Sequence, residues 1–452
     1  MNDAIFSQID FGPLKEFLDE EDITDVSYSN GGQIWLKTLS KGVYKVERPE
    51  INNALIEKIA FQCSNVMGKT FNMASPFLDA ESSELRMNFV HDSIATNGVA
   101  VLIRKTPAKI RLNREKLINE QYLTTELDDF LTKCILGRCN IIVAGETGSG
   151  KTELVKYLAS QTKENEKIIT IEDTLELHLD RIFPHRDIVA MKTNNIASYS
   201  DVLVTCMRQN PIWILLSEVR SAEAVMAVRN SISSGHNILS TIHADKASSI
   251  PMRMYSLLES NLDIDQFVTS IHRYVQLGIY VKGYFSTELD RFQREILEVC
   301  QFYVDDETNT AKANIIYKKS LDGTVTLNNP TKELRDYLNI QRVDLPEDIF
   351  SSTVSKEEPT GVVENNTGGV AQQQPVSVAN NQPVTPGQVA AVPTAEVSVQ
   401  PVQTPVQPTP QGTPVQTANV QPMQTQPVQQ PPVQGQPVGQ PVQATPGQPE
   451  IL

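Results

Sequence analysis

The residues with the clearest chemical meaning form one short run, Gly145-Glu-Thr-Gly148-Ser-Gly150-Lys151-Thr152. It fits the pattern G-x-x-x-x-G-K-S/T of a phosphate-binding loop. Glycines let successive backbone N–H groups turn inward around phosphates, and the helix that follows offers its N-terminus to their negative charge. In such a loop Lys151 reaches the β- and γ-phosphates and the Thr152 hydroxyl ligates Mg²⁺. The expected ligands are therefore ATP and Mg²⁺, cradled by Gly145, Glu146, Thr147, Gly148, Ser149, Gly150, Lys151 and Thr152. A plain glycine-rich turn would show the same spacing by accident. Here the run sits between a strand-like stretch and a helix-like one, the context a phosphate loop requires.

Hydrolysis needs an acid that holds the metal shell or activates water. Glu218 is the first candidate, because it directly follows the apolar run Pro211 to Leu216. It is expected both as a catalytic group and, with Thr152, as a metal ligand. Glu172 and Asp173 end a similar run and are placed to share the metal or the water, although Asp173 followed by Thr174 also reads as a helix cap. His236 and His243 flank a fourth run. A lone histidine usually only packs or hydrogen-bonds, and no Cys or carboxylate set at metal-ligand spacing surrounds either one.

The elements that must position these groups are legible as short apolar runs. Asn140-Ile-Ile-Val-Ala144, Lys167-Ile-Ile-Thr-Ile171, Ile212-Trp-Ile-Leu-Leu216 and Ile238-Leu-Ser-Thr-Ile242 each end in polar residues. They alternate with helical stretches over residues 106–350, which implies a parallel sheet with crossover helices. Ligands of such sheets bind outside the carboxyl ends of the strands, where those polar residues lie. Residues 1–105 read as a smaller α+β domain. Asp22-Ile-Thr-Asp-Val-Ser-Tyr and Gln33-Ile-Trp-Leu-Lys alternate around a turn at Asn30-Gly-Gly32, a helical stretch runs from Leu55 to Val66, and Ala100-Val-Leu-Ile-Arg104 is a further strand. Residues 351–452 hold 18 of the 27 prolines and no aromatic residue. That Pro/Gln/Val-rich stretch has too little apolar surface to offset its ordering entropy and reads as a disordered tail. It is open whether the tail docks partner domains or only solubilises.

The net charge of −15 argues against broad electrostatic capture of nucleic acid, so no direct sequence-specific nucleic-acid binding is expected. The five cysteines lack CxxC spacing, which argues against disulfide and zinc frameworks. The first residues carry no signal-peptide pattern, and no stretch approaches the roughly 18 apolar residues of a membrane span. The chain reads as cytoplasmic, with any membrane contact peripheral.

Four boxes in order, GETGSGKT from Gly145, ITIEDTLEL from Ile169, ILLSEVRSAEA from Ile214 and SGHNILSTIHAD from Ser234, resemble the secretion and traffic ATPases of type II and type IV secretion, pilus and conjugation systems. The resemblance covers about residues 15–328 and is greatest to the conjugation and type IV secretion branch. It implies a RecA-like P-loop ATPase domain behind a smaller α+β domain, with subunits assembled as a hexamer, a homo-oligomer working with other secretion or conjugation machinery subunits at the inner face of the membrane. By the same resemblance, Glu218 is the acid of the second Walker motif, Glu172 belongs to the aspartate box and His243 to the histidine box near the γ-phosphate. Arg86 and Arg104 stand where arginines of the first domain reach the phosphates. Ser217 replaces a usual glycine, and Gln209-Asn210 replaces the usual residues before Pro211. The implied activity is ATP hydrolysis driving substrate transfer or assembly. A pilus or type II secretion motor, a RecA-like nucleic-acid translocase and a non-hydrolysing scaffold are the alternatives.

Overall fold

The structure, a computed structural model, describes residues 6, 8–193, 197–258, 262–320 and 322–350. The stretch 351–452, expected as a disordered tail, lies outside the described residues.

Period-two alternation builds the first sheet from β1 (Ile23–Ser29), β2 (Gln33–Thr38), β3 (Gly42–Val46), β4 (Phe77–Glu81), β5 (Leu85–Val90) and β6 (Ala100–Lys105). All neighbours are antiparallel, in the order β3-β2-β1-β6-β5-β4. One face is apolar: Val26, Leu36, Leu78, Phe89 and Ile103 are buried with Ile56 and Ile59 of the helix Asn53–Met67. That helix begins where the Asn52 side chain accepts the Leu55 N–H, and it ends at Gly68 in the left-handed region, the usual start and stop signals. The opposite face carries one cross-strand row, Lys37, Asp25, Arg104, Arg86 and Glu81.

The second sheet holds β7 (Ile141–Gly145), β8 (Ile168–Glu172), β9 (Ile188–Lys192), β10 (Trp213–Val219), β11 (Asn237–Ile242), β12 (Leu277–Ser286), β13 (Arg291–Asp305), β14 (Thr310–Lys319) and β15 (Val325–Leu327). Their order is β15-β14-β13-β12-β7-β11-β10-β8-β9. From β12 to β9 every pairing is parallel. Strand residues alternate between two apolar layers, Ile141, Val143 and Leu215 on one side and Ile142, Ala144 and Ile214 on the other. Burial on both faces is what a parallel sheet with crossover helices requires, and the α/β, RecA-like expectation holds for these six strands. Strands β13 to β15 go beyond it. They pair antiparallel, because no helix separates β12 from β13 and a short turn allows only an antiparallel return.

The two sheets are tied together at two places. The turn between β2 and β3 is shaped by Asp22, which accepts the Ser40 N–H at 3.0 Å and the Ser40 hydroxyl at 2.5 Å. It is fastened to β13 by a backbone bond from Phe292 N–H to Ser40 C=O. On the other flank, Glu81 ion-pairs with Lys192 and accepts the Leu175 N–H at 3.4 Å. The polar row of the first sheet is thereby held over the carboxyl ends of β7 and β8.

Candidate active site

The phosphate loop links β7 to the helix Lys151–Ser160. A Cβ on Gly145 would lie 2.4 Å from the Val281 carbonyl oxygen and 2.6 Å from Ser149 Oγ, so no larger residue fits. Gly150 sits at φ +97°, where side chains are rarely accepted, and both positions need glycine for that reason. Lys151 Nζ donates to the carbonyl oxygens of Gly145 and Glu146 at 3.0 Å each. Burial pulls the Lys151 ammonium down from its usual value, against the charges of Glu218, Glu176 and Glu146. The Ser149 hydroxyl is buried with no hydrogen-bond partner. A curled lysine and an orphaned hydroxyl beside inward-turning glycines fit a polyphosphate, which supplies acceptors to both.

Glu218 owes its aim to a β-bulge. Leu216 pairs with Ser240 and Val219 with Ile242, so three steps on β10 oppose two on β11. The bulge is pinned by the Ser240 and Thr241 hydroxyls, which donate to the Leu216 and Ser217 carbonyls at 2.8 and 2.6 Å. Extra residues of this kind re-aim a side chain next to a site. Glu218 emerges between buried Ser217 and Val219, and its Oε1 lies 2.8 Å from His243 Nε2. The pairing joins the third and fourth sequence boxes. Ser217 keeps an ordinary backbone, so a serine suffices there, whereas Asn210 takes φ +54°, a conformation asparagine tolerates.

Glu172 is fully buried. Its carboxylate accepts the Glu176 and Leu177 N–H groups at 2.8 and 3.0 Å and the Thr170 hydroxyl at 3.1 Å. Burial nevertheless pushes its pKa up to about 7. Glu172 therefore braces the loop that follows β8. That loop delivers Glu176, which the sequence reading did not single out, to the site: Thr152 Oγ1 donates to Glu176 Oε2 at 3.2 Å. Asp173 pairs with Arg220. His236 bonds only locally, its Nδ1 being 3.0 Å from Ser234 Oγ.

From the first sheet, Arg104 lines the same cavity as Gly148, Lys151 and Glu176. Its Nε donates to Asp25 Oδ1 at 2.9 Å. Burial alone would lower this guanidinium; the Asp25 bond and the charges of Glu176 and Glu218 raise it. Arg86 lies directly across from Arg104 on β5, one strand further from the loop and outside the residues that line this cavity. No group of three or more His, Cys, Asp or Glu residues among those described forms a ready-made metal cluster. Mg²⁺ needs none, since it binds through one or two side chains plus phosphate oxygens; Thr152, Glu176 and Glu218 are the groups here that would serve.

An uncharacterised protein of Bacillus anthracis is 28% identical over 286 residues, which is 63% of this chain and 64% of that protein. The type IV secretion system protein VirB11 of Bartonella quintana is 27% identical over 277 residues, 52% of this chain and 76% of that protein. The chain thus spans just under two thirds of the first relative's length. The crystal structure of the VirB11 ATPase from the Brucella suis type IV secretion system, in complex with sulphate, aligns over 66% of this chain and 96% of that one, with 22% identity and a TM-score of 0.34. Residues 78–295, just under half of the chain, carry all four boxes and most of the residues that line the cleft, and they match the family described as type II/IV secretion system protein.

Proposed function

We propose that this protein hydrolyses ATP with Mg²⁺ as the hexameric motor of a type IV secretion or conjugation apparatus, at the inner, cytoplasmic face of the membrane. The observation that carries the reading is the gathering of Lys151, Thr152, Glu176 and Arg104 around one cavity, with the Glu218–His243 pair near enough for the Glu218 charge to act on both Lys151 and Arg104. Lys151 binds the β- and γ-phosphates, and Thr152 with a carboxylate of Glu218 or Glu176 holds the metal. Bound Mg²⁺ neutralises phosphate charge as it develops. Glu218 orients the attacking water with His243 beside it, while Glu172 sets the loop that carries Glu176. Arg104, on the opposite sheet, adds positive charge that tightens the cleft in the transition state. Residues 1–105 and 106–350 act as two domains whose closure follows the nucleotide, and transmits it to neighbouring subunits and to other components of the apparatus. The VirB11 relatives support the type IV branch. No described helix is long and apolar enough to cross a membrane, which fits a peripheral attachment.

The full chain is expected to release phosphate from ATP slowly with Mg²⁺ present. Turnover falls to background when the metal is chelated, and sizing in Mg-ATP gives a species of about six subunits. Phosphate release with and without DNA separates this from the translocase reading, which predicts strong stimulation. Absence of turnover in every oligomeric and lipid condition would overturn the motor.

A further inference from the structure

Lys37 of β2 approaches the phosphate loop at Gly148. A Cβ built on Gly148 would lie 2.3 Å from Lys37 Nζ and 3.2 Å from its Cε, so the ammonium rests against the loop backbone. Its cross-strand neighbour is Asp25, yet that carboxylate is already engaged. Oδ1 accepts from Arg104 at 2.9 Å and Oδ2 from the Thr24 hydroxyl at 2.7 Å. Among the described residues Lys37 has no ion-pair partner.

Two further cations line this side of the loop. Arg294 of β13 passes its stem within 3.2 Å of a Cβ on Gly150. Its guanidinium lies 4.6 Å over the Phe292 ring and donates to the Leu39 carbonyl at 3.3 Å, with no carboxylate paired to it among the described residues. Burial lowers it from its usual value. Arg111 lines the same cavity, and its Nε and Nη2 are buried without hydrogen-bond partners. The three cations share this cleft with Asp25, Glu153 and Glu176, yet none of the three has an ion-pair partner among the described residues, and the unmet donors of Arg111 favour a bound anion.

We propose that Lys37, backed by Arg294 and Arg111, forms a second cationic wall for the polyphosphate of the nucleotide, and that Lys37 contacts its terminal phosphate. The inference rests on the nucleotide reading above. The assignment to the terminal phosphate follows from position. Lys37 meets the phosphate loop at Gly148 and shares its face and row with Arg104, on which the Glu218 and Glu176 charges act. Lys37 thereby makes the site's preference for triphosphate over diphosphate depend on the first sheet being seated.

The test is calorimetric binding of a non-hydrolysable ATP analogue and of ADP, each with Mg²⁺, to the full chain. Lys37→Met is expected to weaken triphosphate binding about tenfold, the worth of one charge-assisted hydrogen bond. ADP binding stays within about twofold, and the thermal unfolding midpoint stays at the wild-type value. Lys37→Arg restores most of the triphosphate affinity. An equal loss for both nucleotides, or no loss for either, overturns the proposal. Lys151→Ala is the control: it weakens both nucleotides severely, and if it binds them as the wild type does, the nucleotide reading itself falls.

Discussion

Replacing Glu218 by Gln lowers the steady-state rate of ATP hydrolysis by about 10²- to 10³-fold while ATP affinity stays within a fewfold, as expected when a group acts mainly in the transition state. The amide keeps the size of the side chain and its place on the bulge of β10. It removes the negative charge that orients water and helps hold the metal. The 2.8 Å contact with His243 makes the two side chains one unit. The double variant Glu218→Gln/His243→Ala should therefore be no more than about threefold slower than Glu218→Gln alone, a non-additivity typical of groups that work together. Phosphate release at saturating Mg-ATP reads both effects. An unchanged rate in Glu218→Gln would show that the bulge aims its carboxylate at nothing that reacts.

The second large effect falls on stability. Glu172 releases its proton near its ordinary value of 4.5 when unfolded but near 7 when folded, because burial disfavours the charged form more than its three hydrogen bonds favour it. Between those values the unfolded state binds fewer protons than the folded one, so stability falls as pH rises. The contribution is fully present below pH 4.5 and is lost by the time pH passes 7. The shift from 4.5 to about 7 corresponds to about 3 kcal/mol. Glu172→Gln is uncharged throughout and lacks this slope. In chemical denaturation across that range, the wild type should lose about 3 kcal/mol more than Glu172→Gln. Parallel curves for the two proteins would sink the assignment. Glu172→Ala is destabilised at every pH, since it strands the N–H groups of Glu176 and Leu177.

Four strands of the parallel sheet, β7, β8, β10 and β11, were legible because each is a short apolar run closed by polar residues, whereas β9, only half-buried at the sheet edge, and β12 were not singled out; the phosphate loop was legible because its glycines and lysine have few other uses. The parts that escaped share a physical cause. At the end of β8, pleating turns Glu172 into the interior, and the chain must run four residues further before a carboxylate reaches Thr152. The acidic residue beside the strand was therefore legible, whereas Glu176 was hidden in a loop whose path no periodicity encodes. Lys37 sits in a strand that reads as ordinary alternation, and its nearness to Gly148 comes from how two sheets dock. Arg86 illustrates the reverse case. The resemblance sets it beside Arg104 as an equal, but their cross-strand pairing puts it one strand spacing farther from the loop.

The backbone bond from Phe292 to Ser40 has a use beyond holding the sheets together. Its donor belongs to the strand that carries Arg294, and its acceptor to the turn that follows Lys37. Any swing of the first sheet away from the phosphate loop must break it. The Phe292 amide is thus a built-in gauge: its hydrogen–deuterium exchange reports how often the cleft gapes. Slower exchange with a triphosphate bound than with a diphosphate would time that breathing against the catalytic cycle, without a label or a substitution.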